Sequence, residues 1–254
     1  MNIYSLYGAL CTEVYDISKP LGFSFGDVEY YKERLADVKG RVLEVGCGSG
    51  RVLIPLLQAG LRVDGVDNSR AMLDSCEKRS KELNVHPLLV EAEMHNFSLD
   101  SQYEAIIIPG GSFQLIEGRE QALAALAHIH HYLEPGGRLL LDLFLPTDFN
   151  PNYTSTKKWD TPNHEVLVLE DKRIEVNLLE QQFVSLLKYE KWKDGRLLQT
   201  ELQRFPLSWY GYHEFELILE KAGYEEIKLS ADYQFGQKPA RAGQMITYEA
   251  KKCK

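Results

Sequence analysis

The sequence is poor in everything that staples a small secreted scaffold or builds a metal knuckle. It holds four cysteines, Cys11, Cys47, Cys76 and Cys253, too few and too scattered for a disulfide framework. None are spaced as a CxxC pair, so neither a zinc knuckle nor any other metal site is expected. No apolar run reaches the length of about 18 residues that a membrane-spanning helix needs. The opening stretch MNIYSLYGALCTEVYD lacks a basic region followed by an apolar one, so it does not read as a signal peptide. A cytoplasmic protein without membrane contact is expected. Positive charge is scarce too. Lys and Arg total 29 against 37 Asp and Glu, a net charge of −8, which makes duplex nucleic acid an unexpected partner. Repeats and low-complexity segments are absent.

What is present is an ordinary globular composition. The 254 residues are 44% hydrophobic and 26% charged, enough to bury a core without disulfides or metal. One large α/β domain with an insertion fits this length, as do two small domains.

Residues 1–40 are mixed and tyrosine-rich, with a helix expected over DVEYYKERLADV and stopped by Gly40. Strands are expected at Arg41–Val45, Leu61–Val66, Val85–Val90, Ala105–Ile108 and Arg138–Phe144. Helices are expected between them at Arg51–Ala59, from a Ser69 or Asn68 cap to about Leu83, and at Gln121–Tyr132. The nearly unbroken apolar runs suit strands covered on both faces. The alternation implies a doubly wound, mostly parallel, seven-stranded Rossmann-like sheet. From Asn152 the pattern turns strand-rich, at Glu165–Leu169, Arg173–Asn177, Gln181–Trp192 and Leu197–Phe205, with a Lys193–Asp194–Gly195 hairpin turn. This is an antiparallel insertion over residues 152–206. The parent domain takes residues 1–151 and 207–254, and closes with a helix at Tyr212–Lys221 and strands at Glu225–Ala231 and Met245–Lys251.

The sharpest signal is VLEVGCGSGRVL. Gly46, Gly48 and Gly50 lie between the first strand and the next helix, where glycine lets backbone approach a ligand closely. A dinucleotide fingerprint, G-x-G-x-x-G, would need glycine at Arg51. Glu44, just before the bend, is a poor neighbour for pyrophosphate and a good one for an ammonium group. Asp67 ends the second strand, where a carboxylate can accept both hydroxyls of a ribose. A ribose without pyrophosphate and an amino-acid ammonium together describe S-adenosylmethionine. A tight turn followed by a capping aspartate is the plainer reading.

With these motifs, and with VDGVDNSRAML, VEAEMHNF, IIIPGGSFQLI and LEPGGRLLLDL, the sequence resembles the class I S-adenosylmethionine-dependent methyltransferases. The likeness is strong over about residues 40–145. In the small-molecule branch it is similar to sugar N-methyltransferases and natural-product methyltransferases. The resemblance implies cofactor contacts from Tyr15, Glu44, Gly46, Cys47, Gly48, Gly50, Arg51, Asp67, Asn68, Met72, Glu93, Met94 and Pro109. Glu93 stands where the family usually has aspartate. Tyr15–Asp16 resembles a lid element, which Tyr7 would join. The implied reaction is methyl transfer to an O or N atom of a small molecule, leaving S-adenosyl-L-homocysteine. The exocyclic-amino motif N-P-P-F/Y is missing.

An alcohol acceptor would need a general base. Candidates are His213, Tyr210 and His164, with Tyr7, Phe113 and Trp209 as substrate walls. His213 equally suits a helix cap, and Trp209 and Tyr210 equally suit the core. His128, His130 and His131 read as a solvated helix end. Asp142 either faces the pocket or accepts backbone hydrogen bonds. A non-catalytic S-adenosylmethionine-binding module and an NAD-dependent oxidoreductase stand as alternatives. Both monomer and homodimer are compatible with the sequence.

Overall fold

The strands sort into two sheets in a computed structural model that describes residues 4–253. The first sheet contains β1 (Arg41–Val45), β2 (Arg62–Asp67), β3 (Leu89–Glu91), β4 (Tyr103–Ile108), β5 (Leu133–Phe144), β10 (Tyr224–Ala231) and β11 (Met245–Lys252). Its order is β10-β11-β5-β4-β1-β2-β3. The pairs among β1 to β5 are parallel, and β11 runs antiparallel to both β5 and β10. The chain winds outward from β1 in both directions. The crevice between the carboxyl ends of β1 and β4 is therefore the topological switch point, where such sheets bind ligands.

Both faces of this sheet are covered. Leu43, Val45, Ile106, Ile108, Leu139 and Leu141 pack beneath α5 (Arg119–Tyr132) and α6 (Tyr212–Lys221). Val42, Ala105, Ile107 and Leu140 pack beneath α2 (Asp27–Arg34), α3 (Leu53–Gln58) and α4 (Arg70–Glu82). Alternation along β1 puts Glu44 on the Val42 side, at the crevice end.

The second sheet is an antiparallel meander of β6 (Thr154–Asp160), β7 (Val166–Asn177), β8 (Gln182–Lys193) and β9 (Arg196–Ser208). Helix α1 (Ala9–Ser18) lies between it and α4. Leu10, Cys11 and Val14 pack there with Met72, Leu167, Leu187 and Tyr189. Glu201 of β9 accepts the Leu10 amide at 2.9 Å and the Cys11 amide at 3.2 Å, a carboxylate placed at a helix N-terminus. Gln114 joins the two sheets, donating to Phe144 O at 3.0 Å and Ser208 O at 2.9 Å.

Several elements differ from the sequence expectation. Helix α1 forms in the stretch read as merely mixed, because its apolar side has a partner in the second sheet. Helix α2 ends at Arg34, since Leu35 and Val38 turn inward to the core instead of extending the helical face. Strand β3 has three residues rather than six, because only Leu89 to Glu91 pair with β2. Strand β5 starts at Leu133, ahead of the expected turn. The strands read as Glu165–Leu169 and Arg173–Asn177 are one strand, β7, paired with β8 through the polar residues between them. Strand β6 was not anticipated.

Candidate cofactor and acceptor site

The bend after β1 is held against β2 by two backbone bonds to Val66 O, from the Gly46 amide at 2.7 Å and the Cys47 amide at 3.1 Å. Gly46, Gly48 and Gly50 have φ of 77°, 53° and 83°, left-handed values that favour glycine. Gly48 and Gly50 are needed for different reasons. A Cβ on Gly50 would lie 2.7 Å from Cys76 Sγ, so that glycine serves packing on α4. A Cβ on Gly48 would meet nothing within 4 Å, so that glycine borders open space.

Asp67 closes the other side of the bend. Its Oδ2 accepts the Gly48 amide at 2.8 Å and its Oδ1 accepts the Ser69 amide at 2.9 Å. Each oxygen keeps lone pairs for further donors. Burial raises the pKa of this carboxyl. Beyond it, Asn68 donates to Glu93 at 3.2 Å, and Met94 approaches the Gly46 position. Ser69 caps α4, accepting the Met72 amide at 3.1 Å, and its hydroxyl donates to Tyr7 O at 2.7 Å.

Glu44 is 2% exposed, and among the described residues its Oε2 is buried without a hydrogen-bond partner. Burial pushes its pKa well above the ordinary carboxylate range, against the attraction of Arg51. Arg51 is gripped by Asp27, with contacts of 3.0 and 2.5 Å to the two carboxylate oxygens. Burial opposes its charge, but the bond to Asp27 and that carboxylate's charge outweigh this and raise its pKa. Its Nε is buried and, among the described residues, unpartnered. Tyr15 bonds Arg51 from α1, and Lys19 sits 4.3 Å above the Tyr15 ring. Gly110 follows Pro109 after β4. A Cβ there would be 4.0 Å from Arg51 Nη2, and its amide donates to Asp142 Oδ2 at 2.9 Å. The buried Asp142 also accepts Thr247 at 2.7 Å and Tyr233 at 3.0 Å, so of its two expected roles the hydrogen-bonding one is observed. Two buried groups of opposite polarity thus lack partners beside an open glycine bend.

The fold brings Tyr15, Glu44, Gly46, Gly48, Arg51, Asp67, Asn68, Glu93, Met94 and Pro109 to this crevice or its rim. Gly50 and the Cys47 thiol face packing instead, the thiol sitting where a Gly65 Cβ would be. Met72 is buried beneath α1. The candidates near α6 are placed elsewhere. His213 has a side chain 75% exposed and bonds Glu216 at 2.9 Å. Tyr210 lies under the Arg119 guanidinium, 4.0 Å from its ring, and packs on Phe215. Phe113 is fully buried beside it, and Trp209 is buried among Phe149, Phe183 and Leu207. The loop before α6 is drawn inward by Gln114 and Arg119, so Trp209 and Tyr210 are buried with Phe113, and His213 faces solvent. His164 occupies a left-handed turn position, φ 58°. His128 and His130 bond the carbonyls of Phe97 and Gly223. Sequence reasoning missed Asp27, Lys19 and Gln203, the last of which bonds the Tyr7 side chain, because nothing local marks a residue whose partner is distant in the chain.

Residues 42–137 match the family described as methyltransferase domain. Over these residues the chain is similar to a methyltransferase domain. Cypemycin N-terminal methyltransferase of Streptomyces sp is 33% identical over 151 residues, covering 59% of this chain and 60% of that protein, so the match leaves a large part of each outside it. A putative methyltransferase of Bacillus subtilis (strain 168) is 23% identical, covering 85% of both chains. Among solved structures, an S-adenosylmethionine-dependent methyltransferase from Clostridium acetobutylicum ATCC 824 superposes with a TM-score of 0.77 at 16% identity, covering 95% of this chain and 97% of that one. A sugar N-methyltransferase from Streptoalloteichus sp ATCC 53650 gives 0.75 at 20% identity, covering 100% and 98%. The chain therefore shares the fold of these structures across nearly its whole length, second sheet included.

Proposed function

We propose that this chain transfers the methyl group of S-adenosylmethionine to a nitrogen or oxygen atom of a small molecule. The observation that carries the reading is the pair of unpartnered buried atoms, Glu44 Oε2 and Arg51 Nε, beside the open Gly48. A buried acceptor and a buried donor left unsatisfied are costly unless a ligand completes them. A zwitterionic amino acid does so, its ammonium on Glu44 and its carboxylate on Arg51. Asp67 then takes the ribose hydroxyls, and Met94 and Glu93 lie toward the base. A pyrophosphate would instead bring its charge against the Glu44 and Asp67 carboxylates.

The cofactor supplies an already activated methyl group. The chain has to align the acceptor with the methyl–sulfur bond and keep water out. We assign residues 1–151 and 207–254 to holding the cofactor, and residues 152–206, with α1, to covering the acceptor. A covered crevice suits a small acceptor. Curated relatives named for N-methylation, of cypemycin and of a dTDP-linked amino sugar, support that class.

Calorimetry tests the cofactor assignment. S-adenosylhomocysteine is expected to bind and NAD is not. Binding of NAD in its place would overturn the proposal. Release of labelled methyl into an acceptor distinguishes an enzyme from a binding module.

A further inference from the structure

The inner side of the second sheet carries a carboxylate that the fold leaves unsatisfied. Leu167 and Leu169 of β7 pack against α1. Alternation puts Asp171 on the same face, opposite Leu187 of β8 and Ser155 of β6. Among the described residues its Oδ1 is buried with no hydrogen-bond partner. Polar groups continue from it toward the cofactor crevice. Tyr189, which feels the charge of Asp171, receives the Cys11 thiol at 3.2 Å and donates to Gln203 at 3.4 Å. Gln203 is buried and bonds the Tyr7 side chain, and Tyr7 in turn feels the charge of Asp67. This polar line lies between α1 and the sheet, the two parts that cover the crevice. An unpaired carboxylate oxygen at the end of such a line is penalised unless a further group completes it.

We propose that this face receives the methyl acceptor, that the acceptor is an amine, and that Asp171 holds its nitrogen. The inference rests on the methyl-transfer reading. The neutral nitrogen lone pair forms the new N–C bond as the S–C bond breaks, and that electron pair stays on sulfur, giving S-adenosylhomocysteine. The nitrogen then carries a positive charge and loses a proton to the Asp171 carboxylate, which passes it to solvent. An amine arriving as ammonium loses its first proton the same way. A carboxylate at this place discriminates against anionic nucleophiles by like-charge repulsion. Lys158 of β6 pairs with Val168 and lies on the opposite face of the sheet, so it supplies the control.

S-adenosylmethionine labelled in its methyl group is incubated with the whole protein and a low-molecular-weight metabolite extract, and the atom that carries the label in the product is identified by mass spectrometry. A methylated amine is expected. Asp171→Asn should cut labelling at least tenfold, and S-adenosylhomocysteine affinity should stay within twofold. Lys158→Met should leave labelling within twofold. Label on an oxygen, sulfur or carbon atom, full labelling by Asp171→Asn, or absence of product from a protein that binds the cofactor would overturn the inference. So would an equal loss in Lys158→Met, or a parallel loss of cofactor affinity in Asp171→Asn, either of which makes Asp171 structural. A wild-type protein that binds no S-adenosylhomocysteine would sink the methyl-transfer reading itself.

Discussion

The Gly48 amide donates to Asp67 Oδ2 across 2.8 Å, so the bend after β1 and the end of β2 are fixed to each other before any ligand arrives. Replacing Asp67 with alanine removes this tie together with the acceptors offered to a ribose. Charge-assisted hydrogen bonds contribute about 1.5–3 kcal/mol each. S-adenosylhomocysteine affinity measured by calorimetry should fall by more than tenfold. An unchanged affinity removes Asp67 from the site.

Gly48 and Gly50 should fail differently. Alanine at Gly48 meets no protein atom within 4 Å, so the fold bears only the left-handed backbone cost of about 1–2 kcal/mol. Its methyl group enters the crevice, and cofactor affinity should drop at least tenfold. Alanine at Gly50 meets Cys76 Sγ at 2.7 Å and Ile54 Cδ1 at 2.8 Å, so the larger loss should appear in thermal unfolding. Equal unfolding temperatures for the two variants would contradict this division.

Cofactor binding should release a proton from Glu44. Burial raises the pKa of this carboxyl, so below that value the free protein holds it neutral. A bound ammonium favours the ionised form. Affinity for S-adenosylhomocysteine should therefore strengthen as pH rises through the raised pKa. Calorimetry in buffers of differing ionisation enthalpy reads the proton directly, and Glu44→Gln should abolish its release.

Asp142 makes stability depend on pH in the opposite sense from an ion-paired carboxylate. Burial raises its pKa from 3.8 to about 6, against the hydrogen bonds from Gly110 and Thr247. Its contribution is complete below pH 4, is lost as pH rises toward about 6, and is flat above. A shift of that size corresponds to roughly 3 kcal/mol. Denaturant titrations from pH 4 to 7 should show this decline in the wild type and a shallower one in Asp142→Asn. Parallel slopes would show that Asp142 does not titrate in this way.

The parallel sheet was legible because its signals are local. The apolar runs at Val42–Val45 and Ala105–Ile108, with glycine after the first, fix strand and turn without reference to anything distant. The Glu44–Gly50 bend and Asp67 could be singled out for the same reason, since each sits at an element end that the pattern marks. The candidates around α6 were not decidable in this way. Trp209 and Tyr210 look alike as loop aromatics whether they line a cleft or fill a core. Gln114, far earlier in the chain, draws their loop inward.

The sequence by itself determined the alternation of strands and helices through the parallel sheet, the glycine bend and the two carboxylates that flank it, because periodicity and backbone freedom are properties of neighbouring residues. Only the tertiary structure decided which polar atoms remain unpaired. Asp27 occupies two of the Arg51 nitrogens and leaves Nε without a partner, while none of the described residues hydrogen-bonds Glu44 Oε2 or Asp171 Oδ1. Whether a buried charge is satisfied depends on groups brought to it from distant parts of the chain, and that is settled when the elements pack.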